Sequence, residues 1–464
     1  MSRTTIPTLK IKAMTLHASF FSSAAWTLLM LFSGAVWAQP NLTPGAVQSE
    51  SILVVGGTAH LGTGEAIENA AIGFADGFID FVGAARDVDR KRYDRVVEAD
   101  GQHIYPGFIA PNSTLGLMEV AAVRASRDYQ EVGTFKPNVR SVIAYNAASD
   151  ITPTVRTNGV LMGQITPRGG VIGGSSSVVQ FDAWNWEDAV VRADDGIHLY
   201  WPSTHHKHFE DGRAILRKRK TYDQQLHEIR DFFSRGRAYA AGQPEKRDLR
   251  MEAMRGLFAA GERTAAGATT LFVHANDAKQ IAEVIRFKRA EDLERVVLVG
   301  GMDSWMMADP LRENDIAVMV MRTHSVPRFA EDDIDLPYKL PKLLEDEGVE
   351  YCLQGEGRMP EMNTRNLPFF AGTAVAYGLE YEQAVRALTL STAKILGIDG
   401  ICGSLERGKD ATLFISDGDA LDMMGNAVVH AWIQGRDVVL DNKQIQLYEK
   451  YKAKYDAQRA AGGR

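Results

Sequence analysis

Between Val160 and Gly397 the chain repeatedly switches its hydrophobic period, and that alternation narrows the folds open to it. VLMGQITP, TTLFVHAN, RVVLVGG, IAVMVM and VEYCLQG are short apolar runs suited to buried strands. MEAMRGLFAAGERTAAG, DAKQIAEVIRFKRAEDLE and YEQAVRALTLSTAKILG place apolar residues at i, i+3 or i+4, the spacing of a one-sided helix. Strands alternating with helices predict an α/β fold, in the pattern that a parallel barrel requires. A length of 464 residues accommodates that barrel and a small satellite domain. Hydrophobic content of 45% with 24% charged residues is ordinary for a globular chain and argues against disorder.

The first 38 residues are set apart as a cleavable export signal. Arg3, Lys10 and Lys12 form a positive leader, AAWTLLMLFSGAV (24–36) is the apolar stretch, and Val36-Trp37-Ala38 precedes the expected cut near Ala38. That run falls short of the ~20 residues a spanning helix needs, so no membrane span is expected after signal removal. The expected location is periplasmic or secreted. Losing three basic residues takes the net charge from −7 to −10, and no basic stripe offers a nucleic-acid surface. Cys352 and Cys402 are the only cysteines; an oxidising compartment permits a bridge, but two buried thiols is the expectation.

Outside the barrel segment, ILVVGGTAHLGTG, AIENAAIGFADGFIDFVG and RVVEADGQHIYPGF alternate apolar and polar residues and break at glycines, as short strands do. His103–Leu117 reads HIYPGFIAPNSTLGL, which resembles the first barrel strand of the amidohydrolase superfamily, Pro-Gly-Phe-Ile-Asp-x-His-x-His. Gly403, Ser404, Glu406, Gly408, Lys409, Ala411 and Leu413 fit that superfamily's closing motif, with Thr412 at its usual Asp. ITPRGGVIGGSSSVV (165–179), His324–Leu353 and Arg365–Gly397 are similar, in the same order, to segments of imidazolonepropionase-like amidohydrolases. The resemblance implies that 51–104 and 399–442 pair into one small β-sandwich, with a (β/α)8 TIM-type barrel over 105–398 between them. A helical tail occupies 443–464. GGVIGGSSS lacks the Gly-Lys-Ser/Thr ending of a phosphate loop and is expected to be a structural loop.

The same resemblance implies a divalent metal, Zn²⁺ before others, that acidifies a water at the strand ends. The two histidine positions of the first strand are Asn112 and Thr114, poor ligands for Zn²⁺. His274 in FVHAND matches the metal-binding histidine of strand five, whereas Val299-Gly300 stands at the next strand's His-Gly. Glu356 in YCLQGEG falls at or beside the catalytic Asp of the last strand, where a carboxylate takes the proton from water. His205, His206 and His208, with Glu210 and Asp211, form the densest histidine cluster, and His324 is another strand-end candidate. His274, a water-activating Glu356 and accessory His205, His206 and His324 are thus the candidate site.

Two functions remain open. One is an exported hydrolase of carbon–nitrogen bonds other than peptide bonds, acting on a small amide or cyclic amide with a divalent metal. The other follows from the missing ligands: an inactive barrel, without metal, that binds a small molecule or supports a homologous amidohydrolase. A homo-oligomer is compatible with either.

Overall fold

Eight strands form the largest sheet, and their order in space is their order in the chain. They are β1 (Phe108–Ser113), β2 (Val160–Ile165), β3 (Ile172–Gln180), β4 (Val190–Tyr200), β5 (Thr270–Ala275), β6 (Val296–Gly300), β7 (Ile316–Val320) and β8 (Tyr351–Leu353). This computed structural model describes residues 44–464 apart from 211–212, 259–268, 330, 358 and 463–464. The expected export signal lies outside the described residues.

The sheet curls into a nearly closed barrel. Its end strands are bridged by side chains, Asn112 on β1 donating to Gln354 just after β8 at 2.8 Å. From β4 to β8 every pairing is parallel, and helices Tyr222–Ala241, Ala278–Ala290, Ala308–Glu313 and Leu336–Asp346 fill the crossovers. Residues of β5, β6 and β7 such as Phe272, Leu298 and Val318 are fully buried, each contributing roughly 1.5–3 kcal/mol by leaving water. Asp277 opens the helix over Ala278–Ala290 with a capping box closed by Gln280, satisfying donors at its first turn.

The expectation of eight parallel strands needs correcting at β3, which runs antiparallel to both β2 and β4. A parallel return needs a crossover of a dozen or more residues, and only 166–171 separate β2 from β3. The segment expected to be a loop is therefore a buried strand. Its small residues make this feasible: a Cβ on Gly174 would stand 2.5 Å from the Val139 carbonyl oxygen, and that glycine has φ +141°. The serines bury their hydroxyls by bonding them, Ser175 to the Pro137 carbonyl at 2.7 Å and Ser176 to that of Gly196 at 3.2 Å.

The expected single helix over YEQAVRALTLSTAKILG is two, Tyr381–Leu388 and Leu390–Leu396. Thr389 breaks it with ψ −95°, its hydroxyl returning to the Val385 carbonyl at 2.7 Å.

Two further sheets lie outside the barrel. One carries Phe78–Ala84, Ala70–Ala75, Ile52–Val55 and Arg95–Glu98. The other pairs His103–Pro106 from the N-terminal side with Leu413–Ser416 from the C-terminal side, so both ends of the chain share it. Ile52, Ile72, Ile104, Leu413 and Trp432 form one core between the two sheets. The helix Lys443–Gly462 is largely exposed, and Cys352 and Cys402 are buried free thiols. Among the described residues no helix is long and apolar enough to cross a membrane.

Candidate active site

Asn112 is the hub of the barrel mouth. It sits near the end of β1 with φ +51°, a left-handed conformation that asparagine tolerates better than most residues. Its two amide protons are both used: Nδ2 donates to Gln354 Oε1 at 2.8 Å and to Glu356 Oε2 at 2.9 Å. Its acceptors are used as well, by one residue. Arg168 donates through Nη1 to Asn112 Oδ1 and through Nη2 to the Asn112 carbonyl at 2.8 Å. The Asn112 N–H donates in turn to Gln164 Oε1 on β2 at 3.0 Å.

Beside this hub two histidines face each other. His198 Nδ1 on β4 lies 2.9 Å from His274 Nε2 on β5, and His198 Nε2 lies 3.0 Å from Ser176 Oγ on β3. Tyr200 stacks on His274 with ring centroids 4.1 Å apart, and Phe272 stacks on His198 at 4.8 Å. Burial lowers the affinity of both rings for a proton, so both are neutral at pH 7. Gln164 Nε2 completes the floor by donating to Asp195 Oδ2 at 2.7 Å.

Glu356 Oε2 lies 3.8 Å from His274 Nδ1, beyond hydrogen-bond reach. Burial by itself would raise the Glu356 carboxyl, but the Arg168 charge, then His274 and Asn112, hold it well below the usual carboxylate range. Burial opposes the Arg168 charge, yet Tyr200 and Glu356 outweigh it and hold the guanidinium above its ordinary value. A carboxylate so stabilised has little tendency to take a proton.

Asn112, His274 and Glu356 lie together at the barrel mouth, while the remaining candidates do not. Thr114 is buried with its hydroxyl unpartnered and takes no part in the network. His205 is exposed, bonded to Thr204 Oγ1 at 2.9 Å, on a hairpin of His205–Glu210 with Arg213–Lys218; the His206 side chain lies outside the described residues. His324 bonds Thr373 Oγ1 at 2.7 Å and lines a different, open cleft of about 300 Å³ with Tyr381 and Asp419. Arg168, His198, Tyr200 and Gln164 were not anticipated. IHLY at the end of β4 carried a signal, since His198 and Tyr200 are two apart and share one face.

A divalent metal does not fit these donors. Among the described residues no three His, Cys, Asp or Glu side chains converge as a metal-holding group. His274 and His198 direct nitrogens at each other, and Glu356 is engaged by Asn112 under the influence of the Arg168 charge. The expectation of His274 as a zinc ligand therefore lacks the three protein ligands that even an open site needs.

Residues 247–442 match the model of the amidohydrolase family. An amidohydrolase from Thermotoga maritima MSB8 superposes with a TM-score of 0.70 at 23% identity, over 84% of this chain and 99% of that one. Residues 247–442 are thus similar to the amidohydrolase family, and the chain has the amidohydrolase fold. Molinate hydrolase shares the fold with a TM-score of 0.51 at 14% identity, over 86% of this chain and 95% of that one. The 5-methylthioadenosine/S-adenosylhomocysteine deaminase of Saccharophagus degradans is 25% identical over 222 residues, 40% of this chain. The match spans about half (49%) of that deaminase's length. The amidohydrolase TasK of Hapsidospora irregularis is 31% identical over 94 residues, 20% of this chain and 9% of its own.

Proposed function

We propose that this amidohydrolase-fold protein hydrolyses a carbon–nitrogen bond outside peptides, in a small amide or cyclic amide. The carrying observation is the neutral imidazole of His274 beside the ionised carboxylate of Glu356, at the strand ends where barrels of this kind do chemistry. The activities for which its relatives are named, a deaminase and amidohydrolases, support the bond type. The order of the sequence motifs supports an imidazolonepropionase-like subgroup, and the leader over 1–38 supports action outside the cytoplasm.

In this reading His274 accepts the proton of a water as its oxygen adds to the amide carbon. The same proton passes to the leaving nitrogen as the carbon–nitrogen bond breaks. Glu356 stays ionised throughout and, 3.8 Å from Nδ1, steadies the charge of the imidazolium that forms. No step passes through a metal, because the donors do not fit one.

The test is incubation of the purified mature protein with a panel of small linear and cyclic amides, followed by mass spectrometry. Turnover of at least one, reduced about 10²-fold or more in His274→Ala, is expected. An inert wild type across the panel overturns the proposal. A second reading, an inactive barrel that binds a small molecule or supports a homologous partner, is favoured by the Arg168 bonds that occupy both acceptors of Asn112. Saturable ligand binding without turnover is its signature.

A further inference from the structure

The short return from β2 to β3 does more than reverse a strand. Pro167, Arg168, Gly169 and Gly170 form its turn, with φ of +80° and +77° at the two glycines, a conformation that costs a side-chain-bearing residue dearly. A Cβ on Gly170 would stand 2.7 Å from the Thr134 carbonyl oxygen, and one on Gly169 would stand 2.5 Å from the Gln130 side chain. The Arg168 N–H donates to the Tyr129 carbonyl at 2.7 Å. The backbone is therefore fixed on both sides of Arg168, and its side chain reaches across the mouth to β1.

There it meets Asn112, at the first histidine position of the metal-binding strand. The guanidinium takes the Asn112 side-chain and main-chain oxygens together and lies 3.4 Å from the Tyr200 hydroxyl. Asn112 in turn holds Glu356, which falls at or beside the expected last ligand position. One fixed positive charge thus serves one carboxylate, and every polar atom of the Asn112 side chain is occupied.

We propose that the Arg168 guanidinium is the resident cation of this site, standing in for the divalent metal that the fold implies, so that the pocket is assembled without one. Three missing histidines and one arginine act as one set: histidine is absent at 112, at 114 and at Val299, and Arg168 is delivered from the β2–β3 turn. The inference concerns what holds the site together and stands apart from whether the site turns over a substrate.

Elemental analysis of the wild type, purified without an affinity metal and dialysed with and without chelator, tests it directly. Below about 0.1 equivalents of Zn, Mn, Fe or Co is expected, with melting unchanged by chelator or added Zn²⁺ to within about 1 °C. About one equivalent of metal that leaves with chelator, lowering the melting temperature, overturns the proposal. The triple variant Arg168→Gly, Asn112→His, Thr114→His is expected to gain Zn²⁺ binding by calorimetry. Should it fail to fold, the wild-type metal content and melting decide by themselves.

Discussion

His198 and His274 share a hydrogen bond, Nδ1 to Nε2 at 2.9 Å, inside a barrel where both rings are neutral. The bond extends at one end to Ser176 and faces Glu356 at the other, so a relay of polar groups crosses the barrel from β3 to the end of β8. Groups this deep are stable only while each has its partner.

Replacing His198 by phenylalanine keeps a ring against Phe272 and removes both of its hydrogen bonds. His274 Nε2 is left unpaired, while Ser176 keeps its bond to the Gly196 carbonyl. An orphaned buried group costs about 1–3 kcal/mol. His198→Phe is therefore expected to lose about 1–3 kcal/mol in urea unfolding, beyond the cost of the changed shape. A loss within experimental error would show that the relay contributes nothing to stability.

Asn112 separates two effects that a single variant would merge. Asn112→Ala strands Gln354, Glu356 and Arg168 and also places a Cβ-bearing residue without a local side-chain bond at φ +51°. Asn112→Gly strands the same partners without the conformational strain, worth about 1–2 kcal/mol. Both variants are expected to melt below wild type, with Gly the more stable of the two. Equal melting temperatures would mean that the left-handed conformation relaxes on substitution.

Much of the barrel was legible because β5, β6 and β7 are buried on both faces and so appear as unbroken apolar runs. β3 was not, because IGGSSSVVQ buries itself by bonding hydroxyls and omitting side chains, and neither device leaves a hydrophobic pattern. Asn112, His274 and Glu356 were found through their places in a motif. Arg168 was invisible: its proximity to Asn112 comes from a six-residue return over 166–171, whose consequence is an antiparallel strand that no local propensity announces. The Thr389 break was hidden for a related reason, since threonine fits a helical pattern until its hydroxyl bonds back to Val385.

Asp195 carries a stability cost that depends on pH. Burial pushes its carboxyl up to about 6, and Oδ1 has no partner among the described residues. Below the unfolded value of ~3.9 both states are protonated and the group is neutral to folding. As pH rises from about 4 to 6 the unfolded chain ionises first, so stability falls, and above about 6 the loss stays near 3 kcal/mol. Asp195→Asn is expected to abolish this fall while keeping an oxygen for Gln164 Nε2. Urea unfolding at pH 4 and pH 7.5 checks it: the variant should gain on wild type at the higher pH, and a constant difference between the two would refute the assignment.

Arg156 and Asp182 form a buried pair, Nη1 to Oδ1 at 2.8 Å, with side chains 8% and 2% exposed. Arg156 Nη1 also donates to the Phe181 carbonyl at 3.1 Å, and Asp182 Oδ2 accepts from the Gly45 N–H at 2.9 Å. Such a pair gains little over a hydrophobic replacement, because desolvation offsets attraction, but half of it is costly. Arg156→Met leaves the carboxylate with Gly45 and with Arg436 at 4.0 Å, and a loss of about 3–5 kcal/mol is expected. Adding Asp182→Asn removes the stranded charge while retaining an acceptor for Gly45, and should recover more than half of that loss. If the two losses instead add in chemical unfolding, the single-variant cost comes from lost arginine packing, and the charge left behind is already well solvated.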